Sequence, residues 1–366
     1  MADASGGAPL TRVPVDTIHA QISAVLSAWG MPDDIVRVTA DIMAETDLRG
    51  IDSHGIAMLP LYAQQRRLGK ITVDPEISVV KEGPVTGLID GGGGLGHAPA
   101  AQAMQLAIAK AKAMGLGAVT VTHSNHFGAA GAYALMAARA GLIGMAMTNA
   151  GSRIIVPTRA TEPVFGTNPI AFAAPRAAGQ PFVLDMATST VAAGKVKLAH
   201  YNNRPMPDGW ASAPDGSAVI DAAEAFDGHG RLKSGYGLSP LGGRPELSSH
   251  KGYGLAAMVE VLCSMLSGAP FIGVVEDRNQ HKTGHFFLAM DPGCFREDGD
   301  FEAELDGMVA MLQGLAPADP ALPVRVAGEP EDLAAAERAE AGVPMPQMLL
   351  DQLKEICRDS NAPYLL

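Results

Sequence analysis

The chain has 366 residues, enough for two or three domains at about 100–200 residues each. Its residues are 47% hydrophobic and 18% charged, and the 42 glycines and 26 prolines stay below the roughly 25–30% share that marks low complexity, so disorder, collagen and coiled coil are excluded for the chain as a whole. Lys and Arg number 27 against 39 Asp and Glu, a formal charge of −12, which argues against a surface built to bind nucleic acid or an anionic membrane.

The opening MADASGGAPLTRVPVD carries neither a basic n-region nor an apolar h-region, so no secretory signal is expected. Pro14 and Asp16 precede Ile18, Ile22, Val25, Leu26 and Trp29 at helical spacing, closed by Gly30. Pro32-Asp33-Asp34 opens a second helix through Ile42 and Met43. Ser53 is the expected N-cap of a third, Ile56 to Leu68, with Gly69 just past its end. From residue 77 the pattern changes to two strands around a turn at Gly83-Pro84. A helix over 98–114, a strand over 117–124, a helix of small residues over 129–140 and a strand over 142–150 follow. Further strands are expected over 164–173 and 181–185, loops over 201–247, and helices over 332–341 and 346–357. Helices alternating with strands indicate an α/β core. The apolar stretch from Gly252 to Val275 has the length of a membrane span, but Glu260 near its middle and the break at Gly268-Ala269-Pro270 predict a buried helix followed by a strand. Cys263, Cys294 and Cys357 are an odd, scattered set that fits a reducing compartment. A soluble cytoplasmic protein is expected.

Charge is distributed unevenly. Between Gly91 and Thr161 there is no Asp or Glu, but Lys110, Lys112, Arg139, Arg153 and Arg159 are present. Two readings stand side by side: a buried core, where carboxylates are rare, or a site that focuses an anionic ligand.

Five segments could carry chemistry. Gly91 to Gly96 matches GxGxxG after a strand, but no acid follows for the ribose and no tidy βαβ unit is evident, so a flexible turn is favoured over a phosphate loop. In Ser124-Asn125-His126-Phe127-Gly128-Ala129, a strand gives way to a helix whose first turn is almost bare of side chains. Free amides there, aided by the helix dipole, would attract an anion beside His126; the plainer reading is a helix cap. Ser53-His54-Gly55 sets an imidazole, titrating near 6.5 when unperturbed, where it could exchange a proton with a carbonyl or hydroxyl. Asp185, at a strand's carboxyl end, could hold a ribose or cap the next turn. Lys251 sits at the positive end of the long apolar helix, which a bound phosphate or carboxylate would offset. No metal site is expected: His281 and His285 are four apart with Gly284 between them, and no zincin pattern occurs.

In this order, DLRGIDSHGIAMLPLY (47–62), SNHFGAAGAYA (124–134), FGTNPIAFAAP (165–175), FVLDMATS (182–189), HKGYGLAAMVEVL (250–262), GHFFLAMDP (284–292) and AGEPE (327–331) resemble the type 2 malate/L-lactate dehydrogenase family. That family also contains ureidoglycolate, sulfolactate and 2,3-diketogulonate oxidoreductases and cyclic ketimine reductases. The resemblance implies a non-Rossmann, mixed-sheet α/β cofactor domain beside a helical N-terminal domain. It divides the chain into residues 13–70 (helical), 71–120 with 316–366 (a dimerisation and substrate region) and 121–315 (dinucleotide-binding). It further implies NAD or NADP as cofactor, a small anionic substrate and a homodimer.

Carried over by position, His54 is the implied proton donor with Ser53 as its hydrogen-bond partner. His126 matches a histidine that is a proton acceptor in some members and a cofactor neighbour in others. Thr167 matches a substrate contact. Asn125, His126, Phe127, Gly128, Ala129, Asp185, Met186, Ala187, Lys251, Gly328 and Glu329 match cofactor-binding stretches. Two departures stand out. Where many relatives carry an Arg to grip the substrate carboxylate this chain has Met58, so either another arginine, Arg49 or else Arg153, takes over, or the substrate presents a less anionic group there. The position of the ketimine reductases' relay aspartate holds Lys195. The expected reaction is hydride transfer between nicotinamide and C2 of a small 2-hydroxy or 2-oxo acid. The alternatives are a cyclic ketimine reductase and an inactive dinucleotide-binding homologue.

Overall fold

A computed structural model describes residues 10–201, 204–227, 232–274 and 283–366. Strand β1 (Thr11–Val13) leads into helices α1 (Val15–Ala28) and α2 (Asp33–Leu48), each preceded by an extended proline, Pro14 or Pro32, which has no amide to leave unsatisfied there. The third helix begins later than the sequence suggests. A single 3₁₀ turn covers Ile56–Met58, and α3 runs only from Leu59 to Arg67 with Pro60 in its first turn. Ser53 does not cap it, because its hydroxyl faces the ring of His54 instead.

Next come the hairpin β2 (Ser78–Glu82) and β3 (Thr86–Asp90), then α4 (His97–Met114), β4 (Leu116–Ser124), α5 (Gly131–Arg139), β5 (Ile143–Thr148), β6 (Ile170–Ala174) and β7 (Phe182–Met186). The expected strand over 164–173 starts only at Ile170, because Asn168 takes a left-handed backbone, φ 37°. Beyond α6 (Ala193–Tyr201), the stretch read as loops contains a small three-stranded sheet, β8 (Ala211–Ser212), β9 (Ala218–Val219) and β10 (Gly237–Leu238), with the short helix α7 (Ala222–Ala225). Helix α8 (His250–Glu260) continues into a π turn at Val261–Met265, and no strand follows within the described residues up to 274. This helix is not wholly buried either: Met258, Val261, Met265 and Leu266 are exposed. Strand β11 (Thr283–Met290), α9 (Asp300–Gln313), α10 (Glu329–Ala341), β12 (Val343–Met345) and α11 (Gln347–Ser360) complete the chain.

Seven strands form the main sheet in the order β2-β3-β4-β11-β5-β6-β7. Only β3 and β4 are parallel; the other five pairings are antiparallel. The β3–α4–β4 segment is therefore a βαβ unit, contrary to the sequence reading, and the glycine run lies in its first turn. That turn is not a phosphate cradle, because its amides are already engaged. Gly91 and Gly93 donate to the carbonyls of Thr122 and His123, Gly92 to the Asp90 carboxylate, and Gly96 to the His126 carbonyl.

Alanine sets how closely α4 and α5 approach the sheet. Ala100, Ala103, Ala107, Ala134, Ala137 and Ala138 are buried against Val119, Val121, Ala171 and Phe287. A Cβ on Gly117 would fall 2.1 Å from the Ala107 carbonyl, and one on Gly144 2.5 Å from that of Ala134. This close seating fixes the helix starts at one end of the sheet, where β4 and β5 end and β11 begins. A second core joins α1, α2 and α3 to Val343, Met345, Leu353 and Ile356 of the tail, and β1 pairs antiparallel with β12.

Candidate active site

His54 lies on the loop between α2 and the 3₁₀ turn, where its amide donates to the Ile51 carbonyl at 3.0 Å and side chains from neighbouring elements add further ties. The buried Asp47 carboxylate accepts the Ile56 amide at 2.7 Å, the cap that Ser53 was expected to supply. A Cβ on Gly55 would land 2.0 Å from that carboxylate, so only glycine fits there. Burial pushes Asp47 up to about 7. Ser53 Oγ lies 2.7 Å from His54 Nδ1, and burial lowers the His54 imidazole below its usual value.

His126 lies on the β4-to-α5 junction, its ring stacked 5.5 Å from that of His54. Its Nδ1 accepts the Gly128 amide at 3.2 Å and sits 2.7 Å from the Tyr62 hydroxyl. An amide can only donate, so Nδ1 must keep its lone pair and the ring proton of neutral His126 belongs on Nε2. Burial, reinforced by His54, His97 and His285, holds His126 well below the usual histidine range. The two rings therefore differ in kind. A serine hydroxyl either donates or accepts and so tolerates every state of His54, whereas protonating Nδ1 of His126 would set donor against donor.

Both rings line one cavity of about 960 Å³. Ser53, Asn125, Phe127, Gly128 and Thr167 share its wall, as the sequence predicts, and so do Lys70 and Arg153. No carboxylate is among its described lining residues. Within the acid-free stretch, α4, β4, α5 and β5 build the core, while residues 125–128 and 148–153 face the cavity. The Arg153 Nε donates to the Ile272 carbonyl at 2.7 Å. Behind the wall, Phe127 stacks on His285 at 4.5 Å, and the His285 ring bridges Ser124 and Thr148 at 2.8 Å each. Burial drops His97 and His285 to about 3.

Other expected residues lie elsewhere. Arg49 is not in the cavity wall; its guanidinium pairs with Asp332 of α10 at 2.8 Å. Asp185 does not cap the next turn: its side chain accepts the Gly131 amide at 2.6 Å, so an internal carboxyl already faces the bare first turn of α5. Burial raises this carboxyl to about 6 although solvent still reaches it, as in a crevice. Gly328 packs against Val183, bringing residues 327–329 to the strand that carries Asp185, Met186 and, just beyond it, Ala187. Ala129 is buried directly before α5. Glu329 accepts from the Val326 amide and the Gln313 side chain. Lys251 is exposed in the first turn of α8 and does not line the cavity. Lys195 is exposed, and His281 lies outside the described residues.

Sequence reasoning missed Tyr62, Lys70, His97 and the catalytic-loop cap at Asp47. A polar run, Thr148 to Arg153, at the end of a strand was the available signal for the far wall; nothing local marks Lys70, which follows the closing Gly69 of α3.

The family model described as malate/L-lactate dehydrogenase matches residues 13–354. Malate dehydrogenase of Pyrococcus abyssi is 38% identical over 350 residues, covering 95% of this chain and 94% of its own. L-sulfolactate dehydrogenase of Methanocaldococcus jannaschii is 35% identical, covering 92% and 93%. The crystal structure of malate dehydrogenase from Entamoeba histolytica superimposes with a TM-score of 0.90 at 32% identity, over 97% of this chain and 99% of that one.

Proposed function

The chain belongs to the malate/L-lactate dehydrogenase family, and from that premise we propose that it moves a hydride between a nicotinamide dinucleotide and C2 of a small 2-hydroxy or 2-oxo acid. One observation carries this reading: two neutral imidazoles share a cavity with Lys70 and Arg153, and no carboxylate is among its described lining residues. Such a cavity attracts an anionic acid and leaves a proton carrier beside it.

His54 is the proton carrier. Its Ser53 partner accepts from Nδ1–H or donates to a bare Nδ1, so the other ring nitrogen is free to give or take a proton as the alkoxide forms or breaks. General acid–base help of this kind contributes about 10²–10⁴-fold. His126 supplies a fixed Nε2–H donor that polarises the reacting oxygen without exchanging its proton, a role a neutral imidazole performs well in a water-poor site. Arg153 and Lys70 hold the carboxylate in place of the arginine absent at Met58, and Thr167 lines the same wall.

NAD or NADP fits the residues present. The cavity is large enough for a nicotinamide riboside, and a Cβ at Gly128 would meet His97 Nε2 at 3.0 Å, keeping that wall bare. Asn125 to Ala129 would hold one end of the dinucleotide; Asp185 to Ala187, Gly328, Glu329 and Lys251 would hold the rest. When bound, the dinucleotide supplies or removes the hydride. We read the sheet as a cofactor frame other than the doubly wound one, which its antiparallel pairings support, beside a helical unit of residues 13–70 onto which the tail packs. A homodimer is proposed as well, favoured by the exposed apolar face of Met258, Val261, Met265 and Leu266. No helix among the described residues is long and apolar enough to cross a membrane; three unpaired cysteines support a cytoplasmic setting.

The test is a panel of pyruvate, oxaloacetate, sulfopyruvate and a cyclic ketimine with each reduced dinucleotide, followed by loss of nicotinamide absorbance. Turnover of a linear 2-oxo acid is expected. Turnover of the ketimine alone would transfer the proposal to imine reduction, and tight dinucleotide binding without turnover would mark an inactive homologue.

A further inference from the structure

The loop that carries His54 has only local turn bonds of its own, among them the Ile51 amide to the Thr46 carbonyl at 3.1 Å and the His54 amide to the Ile51 carbonyl at 3.0 Å. Between α2 and the 3₁₀ turn it contains Gly50, at φ +81°, and Gly55, both of which lack side chains. Its long-range ties come from α10, some 280 residues later in the chain. Arg338 donates from one guanidinium nitrogen to the Asp47 carbonyl at 2.6 Å and to the Asp52 carboxylate; its second nitrogen reaches the other Asp52 oxygen at 3.1 Å. Asp332 holds Arg49 at 2.8 Å. Between them, a Cβ on Gly50 would lie 3.0 Å from that of Ala334, so loop and helix touch directly. Asp52 is two residues before His54, and Ile56, whose amide the Asp47 carboxylate fixes, is two residues after it.

The same helix has its other end seated on the sheet. Gly328, at φ +91°, sits 3.0 Å from Val183 of β7 when a Cβ is placed on it, and the Val183 amide reaches the Ala327 carbonyl. Helix α10 rises about 1.5 Å per residue, so the contacts at Asp332 and Arg338 stand about 9 Å apart along one rigid rod anchored to the strand of Asp185.

We propose that α10 is the positioning element of the proton carrier: Arg338, through Asp52 and the Asp47 carbonyl, and Asp332, through Arg49, set the His54 ring against His126. This rests on the dehydrogenase reading and extends it by giving Arg49 a positioning role in place of a substrate contact. The geometry favours it: the Arg338 and Arg49 side chains are each only 11% exposed, and the Arg49–Asp332 pair is shielded on both sides, while Arg338 reaches Asp52 from a buried stem to a half-exposed carboxylate. A bidentate arginine fixes orientation as well as distance, and small misplacements of a catalytic group are costly in rate.

The experiment compares wild type, Arg338→Met, Arg338→Lys and Asp52→Asn as full-length protein, with folding checked by circular dichroism. Arg338→Met should lower kcat by about tenfold or more, with KM for the 2-oxo acid changed by less than about threefold and dinucleotide Kd by less than about twofold. Arg338→Lys, which keeps the positive charge but not the two-pronged geometry, should recover only part of that loss. Independently of turnover, the imidazole NMR signal of His54, assigned by its disappearance in His54→Ala, should move in Arg338→Met and titrate nearer the ordinary histidine value as the loop opens to water. A folded Arg338→Met with kcat within about twofold of wild type and an unmoved His54 signal would overturn the proposal. Should Arg338→Met fail to fold, Asp52→Asn removes the same ion pair from its exposed side and is read in the same way. Wild type that turns over none of the acids would defeat the dehydrogenase reading, while the His54 signal would still decide the role of α10.

Discussion

The two histidines stand 5.5 Å apart, yet the regions that hold them are built on opposite principles. The 47–56 loop is tied by ion pairs to a helix from the far end of the sequence, with the Asp52 side chain 57% exposed. The 124–131 junction is fixed by burial: Phe127, Gly128, Ala129 and Ala130 are all inside, with Tyr62, His97 and His285 packed around them. A group that changes protonation needs a partner that tolerates both states, and a loop adjusts to it. A group that must stay a neutral donor is better locked in a core that forbids the charge. In the proposed mechanism, the role of each ring thus follows the kind of support it receives.

The largest effect should come from removing the adjustable ring. His54→Ala is expected to cut kcat by about 10²–10⁴-fold and leave dinucleotide Kd within about threefold, measured by tryptophan quenching. If His126→Ala alone abolishes turnover and His54→Ala does not, the roles are reversed and the comparison breaks. A smaller effect is expected at Tyr62. Tyr62→Phe removes the hydroxyl beside His126 Nδ1 but leaves the Gly128 amide, so the tautomer survives. A loss of about three- to tenfold in kcat, with an unchanged pH optimum, would sharpen the assignment; a shifted optimum would mean that His126 titrates after all.

Much of this was legible because periodicity and capping are local. Ile18, Ile22, Val25 and Leu26 all face the second core, and the Gly83-Pro84 turn joins two paired strands. The acid-free stretch left a buried core and an anion site side by side, and its residues supply both core and cavity wall. What escaped depends on partners distant in sequence. Ser53 had the right residue type for a cap, but Asp47, buried one helix-end earlier, does that work. Arg49 was the nearest arginine to His54 and is bound to Asp332 instead. Three-residue strands such as β1 and β12 have too few side chains for alternation to show. No single-sequence pattern could have linked Arg338 to Asp52.

The cores should also respond to pH in opposite senses. His97 and His285 are held near 3 when folded and titrate near 6.5 when unfolded, so between those values the unfolded chain binds more protons. Their contribution to stability is complete above about 6.5 and falls as pH drops, by about 1.4 kcal/mol per pH unit for each ring. His285→Gln should flatten the acid limb by about one such increment, read as the urea midpoint at several pH values between 4 and 6.5. An unchanged slope would mean that the junction is less tightly closed than its packing indicates.

Asp47 gives the smallest and most diagnostic signal. Its carboxyl sits at about 7 in the folded protein and near 3.9 in an unfolded chain. Here the folded state binds the extra proton, so stability declines as pH rises from about 4 to 7 and is flat above. Around pH 4–6.5 the two histidines outweigh this term and mask it; only between 6.5 and 7 does Asp47 act alone. Asp47→Asn keeps an oxygen to accept the Ile56 amide and removes the buried charge. Stability at pH 8 should therefore rise by about 1–2 kcal/mol, while the value at pH 5 changes little. If instead the variant is weaker at both pH values, the carboxylate is needed beside Arg338 for more than its acceptor oxygen, and the loop owes its shape to charge even in its buried half.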